Sequence, residues 1–147
     1  MVRPKLEYCV QACRTYLKKD IENIERVQHR ATKMILGYGK MSYENRIKSL
    51  GLPTLEQRRE RGDLIEVFKL INRLENVDYR QFFELDTKCR TRGHKFKITK
   101  ERSRLDIRLN FFSQRIVNIW NSLPYYVVEA DSLNTFKNRL DKHRYRN

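Results

Sequence analysis

The chain has 147 residues, with 32 Lys and Arg against 18 Asp and Glu, for a formal net charge of +14. Its 39% hydrophobic and 34% charged residues predict a thin core under long solvated faces, in one ordinary domain or two small helical subdomains. Seven Phe, eight Tyr and one Trp exclude a disordered polyelectrolyte, and only five Gly and three Pro disfavour an all-β chain.

Pro4 suits the first turn of a helix, and Leu6, Val10, Cys13 and Leu17 follow it at helical spacing. A second helix is predicted from about Lys19 to Leu36. Ile21, Ile24, Val27, Ala31 and Ile35 form its apolar stripe, while Glu22, Glu25, Arg26, Arg30 and Lys33 lie on other faces. Glu22 and Arg26 stand four apart in the favoured order, and Gly37 and Gly39 end the helix. Ser42 is placed to cap a short helix through Leu50, closed by Gly51. Beyond Pro53, Thr54 with Gln57 forms a capping-box signature for a helix to about Leu74, with Leu64, Ile65, Phe68 and Ile71 facing inward. Gly62 inside it costs about 1 kcal/mol relative to Ala and marks a bend or a close helix crossing. Arg58, Arg59 and Arg61 make a basic run on this helix, read either as a backbone-facing patch or as a solvated turn. Asp78 and Gln81 form another capping pair before Phe82, Phe83 and Leu85.

The period then changes. Basic and apolar residues alternate in Lys95-Phe96-Lys97-Ile98, and polar and apolar residues alternate again from Arg104 to Leu109. Period two predicts strand, so with Lys100 to Arg102 as the turn this is a hairpin with one apolar and one basic face. Helical spacing returns after Asn110, a predicted cap, with Phe112, Ile116, Ile119, Trp120 and Leu123 on one face until Pro124. Tyr125 to Val128 is expected to be extended. Ser132 caps a last helix carrying Leu133, Phe136 and Leu140, and Lys142 to Asn147 is a basic end. The predicted fold is mainly α, a bundle of about six or seven helices with one small β hairpin near residues 94–109. The expected segments are 1–51, 52–86 and 87–147.

The charge is not evenly spread. From Lys88 to Arg115 there are ten basic residues and two acids, a net +8 over 28 residues. Such a concentration points to a polyanion, most simply nucleic acid. Arg90, Arg92, His94, Lys95, Lys97, Arg102, Arg104 and Arg108 are the candidate phosphate contacts, set against the alternative of a solvated face. Tyr79, Phe96 and Tyr145 could stack on bases or could pack. For Phe111, Phe112 and Trp120, at helical spacing, packing is the expectation.

Catalytic patterns are missing from the sequence. His29, His94 and His143 are isolated, and no paired acids, phosphate-cradling Gly loop or nucleophile–base spacing stands out. Cys9 and Cys13 would share a helix face as small packing residues. They have no second pair to complete a zinc site, and Cys89 with His94 is too isolated for a metal knuckle. Three cysteines do not make a secreted disulfide framework, no apolar run approaches ~20 residues, and no secretory signal is expected. An intracellular protein, nuclear or cytoplasmic, is expected, with no membrane partner, no cofactor and no small-molecule substrate.

Several motifs are specific enough to suggest a family. Val2-Arg3-Pro4-Lys5-Leu6-Glu7-Tyr8-Cys9 is one, and the helix from Lys19-Asp20-Ile21 to Arg30-Ala31-Thr32-Lys33 is another. They are followed by Leu50-Gly51-Leu52-Pro53-Thr54-Leu55, Gly62-Asp63-Leu64-Ile65-Glu66-Val67 and Thr91-Arg92-Gly93-His94. Asn110-Phe111-Phe112-Ser113-Gln114-Arg115, Trp120-Asn121-Ser122-Leu123-Pro124 and Asn134-Thr135-Phe136-Lys137 complete the series. In this order, over nearly the whole chain, they resemble the segment that follows the polymerase core in reverse transcriptases of non-LTR (LINE-type) retrotransposons, closest to the jockey-like and chicken-repeat-like lineages. Cys13, Arg14 and Thr15 stand where that family has Trp and then a Ser-Pro pair.

The resemblance implies a thumb-like segment over 1–51, followed by the tail that succeeds it. It also implies that the palm, whose aspartates hold the metals of nucleotide transfer, lies outside this chain, which contains no Asp-Asp pair. The implied role is a non-catalytic fragment of an RNA-directed DNA polymerase. It would hold RNA or an RNA–DNA hybrid during target-primed reverse transcription. Two alternatives stand beside it: a protein-interaction module docking on a reverse transcriptase core, and a decayed transposon remnant without selected function.

Overall fold

The computed structural model describes residues 17–87 and 93–144. The predicted first helix, the three cysteines, Arg90, Arg92 and Tyr145 lie outside the described residues. The architecture is mainly helical, and the chain forms two compact units, Met1–Arg61 and Gly62–Asn147.

In the first unit, α1 spans Lys18–Lys33 and α2 spans Tyr43–Ser49. Ser42 caps α2 as expected, its Oγ accepting from the Asn45 amide at 3.4 Å, and Gly51 follows in the left-handed region (φ 60°). Helix α1 stops three residues short of the predicted Leu36. Its buried face is also not the predicted one: Gln28 and Thr32 are inside, Val27, Ala31 and Ile35 are exposed, and Ile21 and Ile24 are half-buried. A polar network selects that face. Gln28 donates to the Tyr43 hydroxyl (3.0 Å) and to the Pro53 carbonyl (3.2 Å). Glu25 accepts from the Tyr43 hydroxyl and from the Leu55 amide, the latter at 3.0 Å. Arg46, fully buried, donates to Thr32 Oγ1 (3.4 Å) and to the Met41 carbonyl, with its guanidinium 5.8 Å from the Tyr43 ring centre. Buried polar groups are stable only when partnered, and here the partners come from α2 and from the turn before α3, which no periodicity reveals.

Helix α3 runs Leu55–Ile71. The capping box forms, with Thr54 Oγ1 accepting from the Gln57 amide (3.2 Å) and Gln57 Oε1 accepting from the Thr54 amide (3.0 Å). A β-carbon at Gly62 would meet nothing within 4 Å, so the close crossing expected there is absent. The helix ends through Arg73, held in the left-handed region (φ 54°), while the Leu74 amide closes back on the Lys69 carbonyl at 2.9 Å.

In the second unit, Leu64, Val67, Phe68, Leu70 and Ile71 from α3 enter one core with Phe83, Ile98, Phe112, Ile116, Trp120, Leu123, Val127, Val128, Phe136 and Leu140. A 3-10 turn, Tyr79–Gln81, follows Asp78, whose carboxylate accepts from the Arg80 amide at 3.0 Å. Short helices α4 (Asp106–Leu109), α5 (Phe112–Arg115), α6 (Val117–Asn121) and α7 (Tyr125–Val128) precede α8 (Leu133–Arg144). Phe68 stacks on Phe136 at 4.3 Å, and Trp120 lies 6.1 Å from the same ring. The apolar face predicted after Asn110 is buried, but the helix carrying it breaks at Ile116 into α5 and α6. Asn110 is not its cap: it ends α4, donating to the Asp106 carbonyl at 2.8 Å. Tyr125 to Val128, expected to be extended, is a helical turn that puts Val127 and Val128 inside.

The hairpin is not formed. Ile98 makes an isolated antiparallel bridge with Leu85, through Asp86 N to Lys97 O (2.8 Å) and Thr99 N to Glu84 O (2.7 Å). The other edge of Ile98 is taken by the Asn121 side chain, which accepts from the Ile98 amide (2.9 Å) and donates to its carbonyl (2.8 Å). With both edges engaged, nothing remains for residues 104–109 to pair with. They turn into α4 instead, leaving Leu105 and Ile107 exposed.

Candidate nucleic-acid interface

The basic segment is anchored from within. Gly93 has φ 132°, a backbone conformation that favours glycine, and the end of the Lys97 side chain lies close over it. His94 points inward at 3% exposure. Its Nε2 lies 3.1 Å from the Trp120 carbonyl and its ring meets the Trp120 indole edge-on at 5.8 Å. Burial pushes the His94 pKa down. The bond to Trp120 opposes that shift, Lys97 adds to it and Glu129 opposes it. A neutral, enclosed imidazole is no phosphate contact, so His94 leaves the candidate set and becomes an anchor. The Trp120 indole N–H donates to the Phe96 carbonyl at 2.7 Å, which ties down the next turn of the segment.

These internal bonds direct the neighbouring side chains outward. Lys95 is exposed, its ammonium 5.1 Å from the Phe96 ring centre. Lys97 is half-buried. Lys100, Arg102 and Arg104 are exposed, and with Lys95 they form no ion pair among the described residues. Arg108 is exposed and lies 3.4 Å from Glu101, a solvated contact that neutralises it only weakly. Arg115, one of the ten cations of the basic stretch, is withdrawn onto Asp63. Of the predicted contacts, Lys95, Arg102, Arg104 and Arg108 are exposed and Lys97 is half-buried; Lys100, not among those predicted, joins the exposed set to make an irregular cationic loop. Arg90 and Arg92 lie outside the described residues.

Among the aromatic residues, one departs from the sequence reading. Tyr79 and Phe96 are half-buried and packed against the core, and Phe112 and Trp120 are buried. Phe111, expected to pack, is 54% exposed, and Phe82 is 42% exposed. Each begins a Phe-Phe doublet whose second member is in the core. The run Arg58, Arg59, Arg61 is neither patch nor solvated turn: Arg59 is buried, and Arg58 and Arg61 are half-buried.

At the end of α3, Lys69 bridges Glu66 (3.2 Å) and Glu75 (2.7 Å). Burial, then Glu75, pushes the Glu66 carboxyl up, while the bond to Lys69 holds Glu75 down. Among the described residues no group of three His, Cys, Asp or Glu is placed to hold a metal ion, and no helix is long and apolar enough to cross a membrane. No protein-family model, curated protein or solved structure matches the chain.

Proposed function

We propose that the chain is a non-catalytic nucleic-acid-binding fragment of a retrotransposon-type RNA-directed DNA polymerase, holding RNA or an RNA–DNA hybrid mainly through phosphate contacts. The observation that carries this reading is the loop of Lys95, Lys100, Arg102 and Arg104, exposed and without ion pairs among the described residues. Cations left in water on a loop that follows the anchors at His94, Phe96 and Ile98 concentrate potential where a sugar-phosphate chain releases its counterions. The motif series supports the polymerase origin. Electrophoretic binding to single-stranded RNA, duplex DNA and RNA–DNA hybrid at two ionic strengths tests the reading. Affinity should fall steeply with salt, and a chain that binds none of the three would end it.

A second reading rests on the first unit. Met34 (87% exposed) and Leu36 (98%) stand open beyond α1, beside exposed Ile35. Such residues suit docking on a polymerase core supplied by another chain. Docking of that kind would persist at salt concentrations that abolish phosphate contacts.

A further inference from the structure

One surface of the second unit combines features that the loop alone does not explain. A cleft of about 830 Å3 opens between the 3-10 turn and the start of α5, lined among others by Tyr79, Arg80, Phe82, Glu101, Arg108 and Phe111. That volume lies within the range of small-ligand sites, ~300–1,000 Å3. Its two exposed rings, Phe82 and Phe111, present apolar surface to water, although Phe82 also meets the core rings of Phe83 and Phe112 at 6.3 and 6.5 Å. Guanidinium groups accompany the aromatic side chains: Arg80 lies 6.0 Å from the Tyr79 ring centre and Arg108 lies 5.7 Å from that of Phe111.

The cleft is not a simple phosphate trap, because Glu84 and Glu101 also line it. Carboxylates repel phosphate but accept hydrogen bonds from the amino edge of a base. Flat π-faces, guanidinium planes and a few acceptors are the chemistry that holds an unstacked nucleobase. Arg108 lines the cleft, and Lys100 and Arg102 are the chain neighbours of Glu101, which also lines it, so the exposed cations of the loop lie close in sequence to the cleft.

We infer that this cleft takes one or two unstacked bases of a single-stranded nucleic acid, gripped between Phe82 and Phe111, while its phosphates follow Lys100, Arg102 and Arg104. The inference rests on the nucleic-acid reading above and adds to it a preference for single strands. A duplex keeps its base faces covered and gains nothing from these rings.

The test uses the full chain with a fluorescein-labelled oligouridylate and, separately, a labelled RNA–DNA duplex of the same length. Phe111→Ala and Phe82→Ala should each weaken single-strand binding roughly tenfold, as expected for loss of one stacking partner. The slope of log affinity against log salt should stay the same, because no phosphate contact is lost. Duplex affinity should remain within about twofold of the parent by the same reasoning. Phe111→Trp should retain affinity, and its new exposed indole should be quenched by the oligonucleotide. Phe111 is solvent-facing, so its truncation leaves Phe112 and the core in place. Unchanged single-strand binding in both alanine variants overturns the inference and leaves the phosphate reading standing, as does an equal loss on duplex. A parent chain that binds neither probe at low salt removes both.

Discussion

Asp63 and Arg115, 52 positions apart, meet in a bidentate ion pair inside the second unit: Arg115 Nε donates to Oδ2 and Nη2 to Oδ1, each at 3.0 Å. Asp63 is fully buried, Arg115 also donates to the Asn110 carbonyl at 3.0 Å, and its guanidinium lies 5.7 Å from the Phe112 ring centre. The pair joins two of the motifs that carry the family resemblance. It also shows that a cation counted in a basic stretch can be wholly structural. Breaking a buried pair from one side strands a charge, so Asp63→Asn or Arg115→Ala should each cost about 3–5 kcal/mol. Replacing both with apolar residues should recover part of that loss. Urea denaturation reads the result, and a cost below about 1 kcal/mol for either single variant would contradict the structural role.

Asn121 acts as a strand edge for Ile98. Asn121→Ala leaves the Ile98 amide and carbonyl without that partner and should cost about 2 kcal/mol. Hydrogen exchange at the Ile98 amide should accelerate well before the α8 amides do. Equal acceleration throughout would mean that the side chain supports the unit globally and not this one segment.

His94 makes stability depend on pH. Its folded pKa is depressed by burial, so the unfolded chain binds the extra proton first. Stability should be highest above the ordinary histidine value of about 6.5 and should fall as pH drops below it. The fall should level off once the folded-state imidazole also titrates. His94→Gln, which cannot titrate, should flatten this component in denaturant melts at pH 7.5 to 5 (roughly the histidine window). A parent and variant with the same pH slope would exclude His94 as its source.

Gly62 lies in the interior of α3 with open space around the missing β-carbon. Gly62→Ala should therefore stabilise the protein by about 1 kcal/mol, through helix propensity and a less mobile unfolded chain. A destabilised variant would reveal a crowding that the structure does not contain.

For the loop, the triple reversal Lys95→Glu, Arg102→Glu and Arg104→Glu should weaken binding to every nucleic-acid form. It should also shallow the salt slope by about 0.7–0.9 per cation removed. The melting temperature should barely move, because none of the three forms an ion pair among the described residues. Binding equal to that of the parent would move the interface elsewhere.

Capping chemistry was legible in the residues. Ser42, Thr54 with Gln57, Asp78 and Ser132 all cap where short-range spacing predicts, because a cap is a contact between residues two or three apart. The mainly helical class and the buried faces around Leu64, Phe68, Trp120, Phe136 and Leu140 were legible for the same reason, since periodicity is local. The hairpin was misread because alternation over six residues does not specify a partner. Two bonds from Asn121 and one bridge to Leu85 used up the edges of Ile98.

Local order and total charge belong to the linear chain: where helices can start, which stretch is cationic, and that the sum is +14. Which charges meet water is a property of the tertiary structure. Folding placed His94 against the Trp120 carbonyl and Arg115 on Asp63, and left Lys95, Lys100, Arg102 and Arg104 outside. It also turned one ring of each Phe doublet outward into a common cleft. Burial and pairing of a charge depend on groups tens of residues away, and desolvation, which separates an anchor from a contact, acts only once those groups have come together.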